Sequence, residues 1–160
     1  MSAFAQFSAN SGQDIAIDAD DVINKGGVTT LTGQVDIRQG DVRMLADRVE
    51  LYSKGQTGTA VASVASDIDR IKAVGNFYYI TKEQEVRGRQ GIYLADTDTF
   101  TVTGDVILLQ GESVVTGETL IYNVGEQTAR VTSNCQGRKC GTKNRVSILI
   151  KNSGNPGARS

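Results

Sequence analysis

Few residues in this chain have the types and spacing that chemistry needs. Asp18, Asp20 and Asp21 gather three carboxylates as a calcium loop does. The Gly and the distal Glu of such a loop are missing, so the stretch reads as a solvated turn. Glu83 and Glu85 sit between Lys82 and Arg87. Paired carboxylates are the equipment of glycoside hydrolysis, but the chain has no His and no acidic cluster that recurs on one face. Cys135 and Cys140 offer two sulfurs, which do not make a zinc site without further ligands. A small loop disulfide and a pair of free thiols both remain open. No catalytic residue, metal-ligand set or cofactor motif emerges, and the expectation is a protein that is not an enzyme.

The elements behind these residues are strands, and they repeat. Gly33-Gln34-Val35-Asp36-Ile37 leads through Asp47-Arg48-Val49-Glu50-Leu51-Tyr52; Gly75-Asn76-Phe77-Tyr78-Tyr79 leads through Gly91-Ile92-Tyr93; Gly104-Asp105-Val106-Ile107-Leu108 leads through Gly117-Glu118-Thr119-Leu120-Ile121-Tyr122. Each copy opens on Gly, closes on Tyr and turns in its middle, at Gln39-Gly40-Asp41, at Lys82 to Glu85 and at Gln110-Gly111-Glu112. Repetition of this kind points to stacked supersecondary units. Partial copies flank them: Ala19-Asp20-Asp21-Val22 resembles Ala46-Asp47-Arg48-Val49, and Ala129, Val131 and Ser133 repeat the spacing of Phe100, Val102 and Gly104.

Within each copy apolar residues alternate with polar ones, the period of a half-buried strand. The inward stripe comprises Ile15, Ile17, Leu31, Val35, Ile37, Val42, Met44, Val49 and Leu51, then Phe77, Tyr79, Val86 and Tyr93, then Phe100, Val102, Val106, Leu108, Val115, Leu120 and Tyr122. No segment shows helical spacing. Many short strands with frequent turns argue an all-β sandwich, barrel or solenoid. Serial hairpins favour two sheets closing on a continuous apolar interior.

The 160 residues, 39% hydrophobic with a net charge of -1, fit one domain with a buried core and no basic field to attract nucleic acid. No stretch approaches the ~20 apolar residues of a membrane span. The start, Met1 to Phe7, lacks the basic region of a signal peptide, so an exported protein would be in its mature form here. The expected organisation is a mobile arm at 1–12, a β-domain at 13–151 containing a small-residue insertion from Ser53 to Ser66, and a disordered polar tail at 152–160. A last strand, Arg145 to Ile150, is expected to pair back on Ala129 to Thr132. Neither it nor the first strand, Asp14 to Asp18, contains the Pro that would blunt an edge. Ile15, Ile17, Val146, Ile148 and Ile150 are therefore the expected oligomer edge, suited to strand addition between molecules and to a contact that does not close on itself.

Ile15-Ala16-Ile17-Asp18-Ala19-Asp20, Leu31-Thr32-Gly33-Gln34-Val35-Asp36-Ile37-Arg38-Gln39-Gly40, Ala46-Asp47-Arg48-Val49, Gly104-Asp105-Val106 and Gly117 to Tyr122 resemble the OstA-like domain of the periplasmic lipopolysaccharide transport proteins. The likeness runs from about Gln13 to Ile150, and the chain resembles the soluble bridge component rather than members with an anchor helix or a large barrel. It implies a slightly twisted β-jellyroll of V-shaped section with an open apolar groove. By the same resemblance the groove binds the acyl chains of lipopolysaccharide, and the domain stacks head to tail between inner-membrane anchored and outer-membrane OstA-like partners in the periplasm. No reaction is catalysed in the family, whose energy comes from an ATP-driven complex. The candidate groove is the inward stripe less Val42, Val49 and Val86. Ile15 and Ile17 match positions near the groove mouth, and Phe77, Tyr79 or Ile80 match a second contact. An oxidising periplasm favours a Cys135–Cys140 disulfide. Lys82, Arg87 and Arg89 are candidates to meet lipid phosphates at the rim. The competing expectation is a filament-forming structural β-repeat without lipid cargo.

Overall fold

The computed structural model describes residues 8, 13–53, 68–133 and 145–150. These form ten strands: β1 (Ala16–Asp18), β2 (Asp21–Lys25), β3 (Val28–Gln39), β4 (Val42–Ser53), β5 (Ile68–Ile80), β6 (Gln84–Leu94), β7 (Thr99–Gln110), β8 (Ser113–Asn123), β9 (Thr128–Thr132) and β10 (Ser147–Leu149). All pair antiparallel in one open sheet, ordered β1-β3-β4-β5-β6-β7-β8-β10, with β2 also on β3 and β9 also on β8. The expected all-β, jellyroll-like architecture is what forms.

The repeated glycines do not open the strands, as the sequence suggests, but bend them in the middle. In β3, β5 and β7 the pairs Gly33-Gln34, Gly75-Asn76 and Gly104-Asp105 all have positive φ, 82 and 45, 86 and 47, 86 and 48 degrees. Two left-handed residues in succession insert a bulge, and pairing resumes only at Val35, Phe77 and Val106. Glycine is required at the first position by more than φ. A Cβ on Gly75 would lie 2.7 Å from Asp47 Oδ2, and one on Gly104 2.8 Å from the Arg89 Cβ. Asn76 and Asp105 suit the second position because their short polar side chains enter the left-handed region at least cost, and Gln34 is held there without that advantage. Asn76 Nδ2 also donates to Asp47 Oδ2 at 2.9 Å, tying one corner to the next strand.

These aligned bends fold the long strands into two arms. The first arm holds β2, the starts of β3, β5 and β7, the ends of β4, β6 and β8, and β9. The second holds β1, the complementary halves and β10. Tyr79 lies past the corner of β5 and Phe100 before the corner of β7, yet their rings meet edge to face at 5.0 Å. That contact shows the arms face each other. Phe100 also tilts against Tyr93 at 4.8 Å. Phe77 lies over Gly91, where a Cβ would come within 2.7 Å of its ring. The core fills the space between the arms: Leu31, Val35, Ile37, Met44, Val49, Leu51, Ile71, Phe77, Tyr93, Val102 and Val106 are buried.

Two expectations are corrected. The last strand does not pair with β9: Ser147, Ile148 and Leu149 lie against Thr116, Val115 and Val114 of β8. Strand β8 is bent, so β9 covers its end from Thr119 to Asn123 and β10 covers its start. The first edge is built the same way, with β1 and β2 on the two halves of β3. Gln39, expected in a turn, ends β3 and is buried. Cys135, Cys140, the insertion beyond Ser53 and the tail 152–160 lie outside the described residues.

Candidate functional site

Strand register turns the alternating pattern into rows that cross the whole sheet. On the second arm Ile17, Ile37, Met44, Tyr79, Val86, Leu108, Val115 and Ile148 are consecutive cross-strand partners, all on the inner face. The facing row on the first arm is Val22, Leu31, Val49, Ala73, Gly91, Val102, Leu120 and Val131. A third, nearer the free ends of that arm, runs Asn24, Thr29, Leu51, Ile71, Tyr93, Phe100, Tyr122 and Ala129. Opposite-face alternation along each strand puts every member on the same wall.

The rows are not equally buried along their length. Ile37, Met44, Tyr79 and Val86 are core, Leu108 and Val115 are half-buried, and Ile148 is 63% exposed. Beyond β7 the arms part. A narrow, partly open pocket lies between them, lined by Tyr79, Gln84, Val86 and Leu108 from one wall and Phe100, Val102, Leu120, Tyr122 and Ala129 from the other. Apart from Gln84 and the two phenols, this lining offers only apolar atoms. Desolvation there pushes the Tyr122 phenol above its ordinary pKa.

Most of the residues singled out in the sequence converge on this cleft. Tyr79, Phe100, Val102, Leu108, Leu120 and Tyr122 line the open pocket itself. Leu31, Val35, Ile37, Met44, Leu51, Tyr93 and Val106 lie in the closed part as core. Phe77 is spent on covering Gly91. Ile15 and Ile17 pack half-buried against the core at the β1 end, whereas Ile148 and Ile150 are exposed beside Val146 at the β10 end. Gln84 and Ala129 belong to the pocket and were missed. Ala129 is too small to stand out in an apolar pattern, and Gln84 is hidden among the charged residues of the turn from Lys82 to Glu85, although it begins β6.

The basic residues do not gather at one rim. Lys82 stands in the β5–β6 turn, 3.4 Å from Asp41. Arg87 is on the outer face, paired with Glu85 and over the Tyr78 ring at 5.4 Å. Arg89 is at the corner, paired with Asp105. Glu85 is thereby engaged away from Glu83, and Asp18 pairs with Arg38. Among the described residues no three metal-ligating side chains come together. What the site can do is hold hydrocarbon. Each methylene moved from water into it gains roughly 0.8 kcal/mol without demanding a directed bond.

Residues 14–128 match the model of a family described as LptA/(LptD N-terminal domain) LPS transport protein. The chain belongs to this family. That is a family of lipopolysaccharide transport proteins, not of enzymes. No curated protein matches the chain. Among solved structures it is similar to LptH of Pseudomonas aeruginosa, titled the LptA homologous periplasmic component of the conserved lipopolysaccharide transport device. The TM-score is 0.70 at 18% identity over 89% of this chain and 99% of that one. At that identity the likeness speaks to the fold: the same bent, open sheet.

Proposed function

We propose that this protein binds the acyl chains of lipopolysaccharide in the cleft between its two arms and forms one section of the periplasmic bridge that carries them from the inner to the outer membrane. The observation that carries this is the inner-face row from Ile17 to Ile148, core in its middle and open beyond β7, where an apolar pocket waits between Leu108 and Tyr122. A row of apolar positions continuing from strand to strand suits cargo that must slide, because one deep site would hold it. Varied acyl chains fit because Ile, Val, Leu and aromatic faces make no directional demand.

Assembly follows from the two ends. Among the described residues both β1 and β10 terminate the sheet, and their outer backbone edges can accept a further strand. The ends differ in sequence and exposure, so the contact is heterologous, end to opposite end, and extends the rows from one copy to the next. The same edges would meet the inner-membrane anchored and outer-membrane partners of the bridge.

Photocrosslinking from Leu108 and from Ile17 to lipopolysaccharide tests the first claim. Adducts at Leu108 are expected, with weaker ones at Ile17. A folded protein giving none at either position would sink it. Light scattering against concentration tests the second: growth without a fixed endpoint is expected, and a strict monomer at high concentration refutes it.

A further inference from the structure

A polar contact spans the two arms where the cleft is closed. Ser8 is buried, although it precedes every strand. Its backbone N–H donates to Gln39 Oε1 at 2.9 Å, and Gln39 Nε2 donates back to the Ser8 carbonyl at 3.0 Å. Gln39 ends β3 on the second arm and is only 2% exposed, so Ser8 satisfies a side chain that has little access to water. Gln39 Nε2 also lies 3.2 Å from the Gln13 carbonyl. The Ser8 hydroxyl reaches the other way, donating to the Asp98 carboxylate, whose oxygens lie 3.0 and 3.2 Å off.

Asp98 stands in the β6–β7 turn at the free end of the first arm, with φ of 51 degrees. It accepts a second hydrogen bond from the hydroxyl of Tyr93, the most deeply buried aromatic residue. The Tyr93 ring packs on Phe100, which meets Tyr79 of the opposite arm. Among the described residues Ser8 thus ties the end of one arm to the end of the other. It is wired through Tyr93 to the aromatic group that blocks the cleft between Met44 and the open pocket.

We infer that Ser8 is a latch: by bridging Gln39 and Asp98 it holds the arms together over the closed half of the cleft, and an acyl chain advancing from the open half must release it. Buried hydrogen bonds between polar groups are the right material for this. They are lost singly at modest cost, whereas the apolar seam beneath them resists sliding apart only through area. The gating half of the inference rests on the lipid-transport reading; the mechanical half does not.

Hydrogen exchange of the whole protein, without lipid, reads the mechanical half. In Ser8→Ala backbone amides at the end of β3 and the start of β7 should exchange about three- to ten-fold faster than in the parent, as expected for one lost hydrogen bond, and in Gln39→Leu, which loses three, faster still. Amides of β8 should be unchanged. Ser8→Ala removes a hydroxyl outside the sheet, so it remains informative if Gln39→Leu fails to fold. Unchanged exchange, or a uniform rise across all strands, overturns the latch. Stopped-flow uptake of a naphthalene sulfonate dye then reads gating: the same variants should take it up faster by a similar factor. Faster exchange with unaltered uptake overturns gating while leaving the tie itself. Loss of lipopolysaccharide crosslinks at Leu108 would instead strike the transport reading and leave the exchange result standing.

Discussion

The middle of the inner-face row and its β10 end are written in the same residue types, yet one is core and the other is surface. Met44 is closed off by the opposite arm, and Tyr79 and Val86 are buried at the inner end of the pocket, with Phe100 reaching across to Tyr79. Leu108, Val115 and Ile148 carry on the row in perfect register, but the wall facing them thins to Tyr122, Val131 and the exposed Ala129. Alternation therefore decides which way a side chain points, and the second wall decides whether it becomes core or binding surface. A groove in this fold is a stretch of core whose partner has been withdrawn.

The comparison can be broken most forcefully in the middle. Phe100→Ala removes the ring that bridges the arms and should destabilise the protein by about 3–5 kcal/mol, the usual cost of a buried Phe truncation. Denaturant unfolding measures it. A loss below 1 kcal/mol would mean the arms are not held by this contact and the middle is groove as well. Leu108→Ala, with a side chain already half in water, should cost only about 1 kcal/mol or less in the same assay while markedly weakening lipopolysaccharide crosslinking nearby.

The corners that create the two arms come next. Gly75→Ala would place a Cβ 2.7 Å from Asp47 Oδ2 at a φ of 86 degrees, and a loss of about 1–3 kcal/mol is expected. Asn76→Gly on the same bend should be close to neutral, since it relieves a left-handed φ but surrenders the bond to Asp47. If both substitutions were silent, the bend would have to be maintained by packing between the arms alone.

The sheet ends give a smaller stability effect with a clear assembly readout. Ile148→Lys alters a side chain that is 63% exposed and should change unfolding by no more than about 0.5 kcal/mol. It should nevertheless abolish concentration-dependent growth in light scattering. Ile17→Lys should block growth too, but at a greater stability cost, because Ile17 packs against the core. Equal costs at the two positions would remove the asymmetry on which end-to-opposite-end contact depends.

Much of this was legible in the chain. The period of two and the threefold repeat gave the strands, their inward faces and most of the pocket lining, because those depend on local alternation. The corners were half legible. The Gly was visible, but it reads as a strand opening unless weight is given to Asn76 and Asp105 behind two of the three copies, residue types that tolerate the left-handed region. The pairing of β10 with β8 was not legible. It depends on β8 bending so that one strand offers edges to two partners, and nothing local in Ser147 to Leu149 encodes that. The bonds of Ser8 and Gln39 were equally hidden, since both are polar residues that only tertiary contact buries.

The finest test of the open end uses pH. Burial raises the Tyr122 phenol above its ordinary value of 10.0, because the pocket wall withholds water from the phenolate. An acid whose pKa is higher folded than unfolded favours the folded state while it stays protonated. Its contribution is therefore fully present below the unfolded value near 10 and is lost as pH rises through the folded value. The parent protein should lose stability over that alkaline window more steeply than Tyr122→Phe, in which this group cannot ionise, while the two should track each other at neutral pH. Acyl chains in the pocket would desolvate the phenol further. Spectrophotometric titration of the parent minus that of Tyr122→Phe should then show the Tyr122 transition moving to still higher pH when lipopolysaccharide is bound. A Tyr122 transition that ignores the lipid would place the acyl chains away from this wall, and the open pocket beyond β7 would no longer be where the cargo rests.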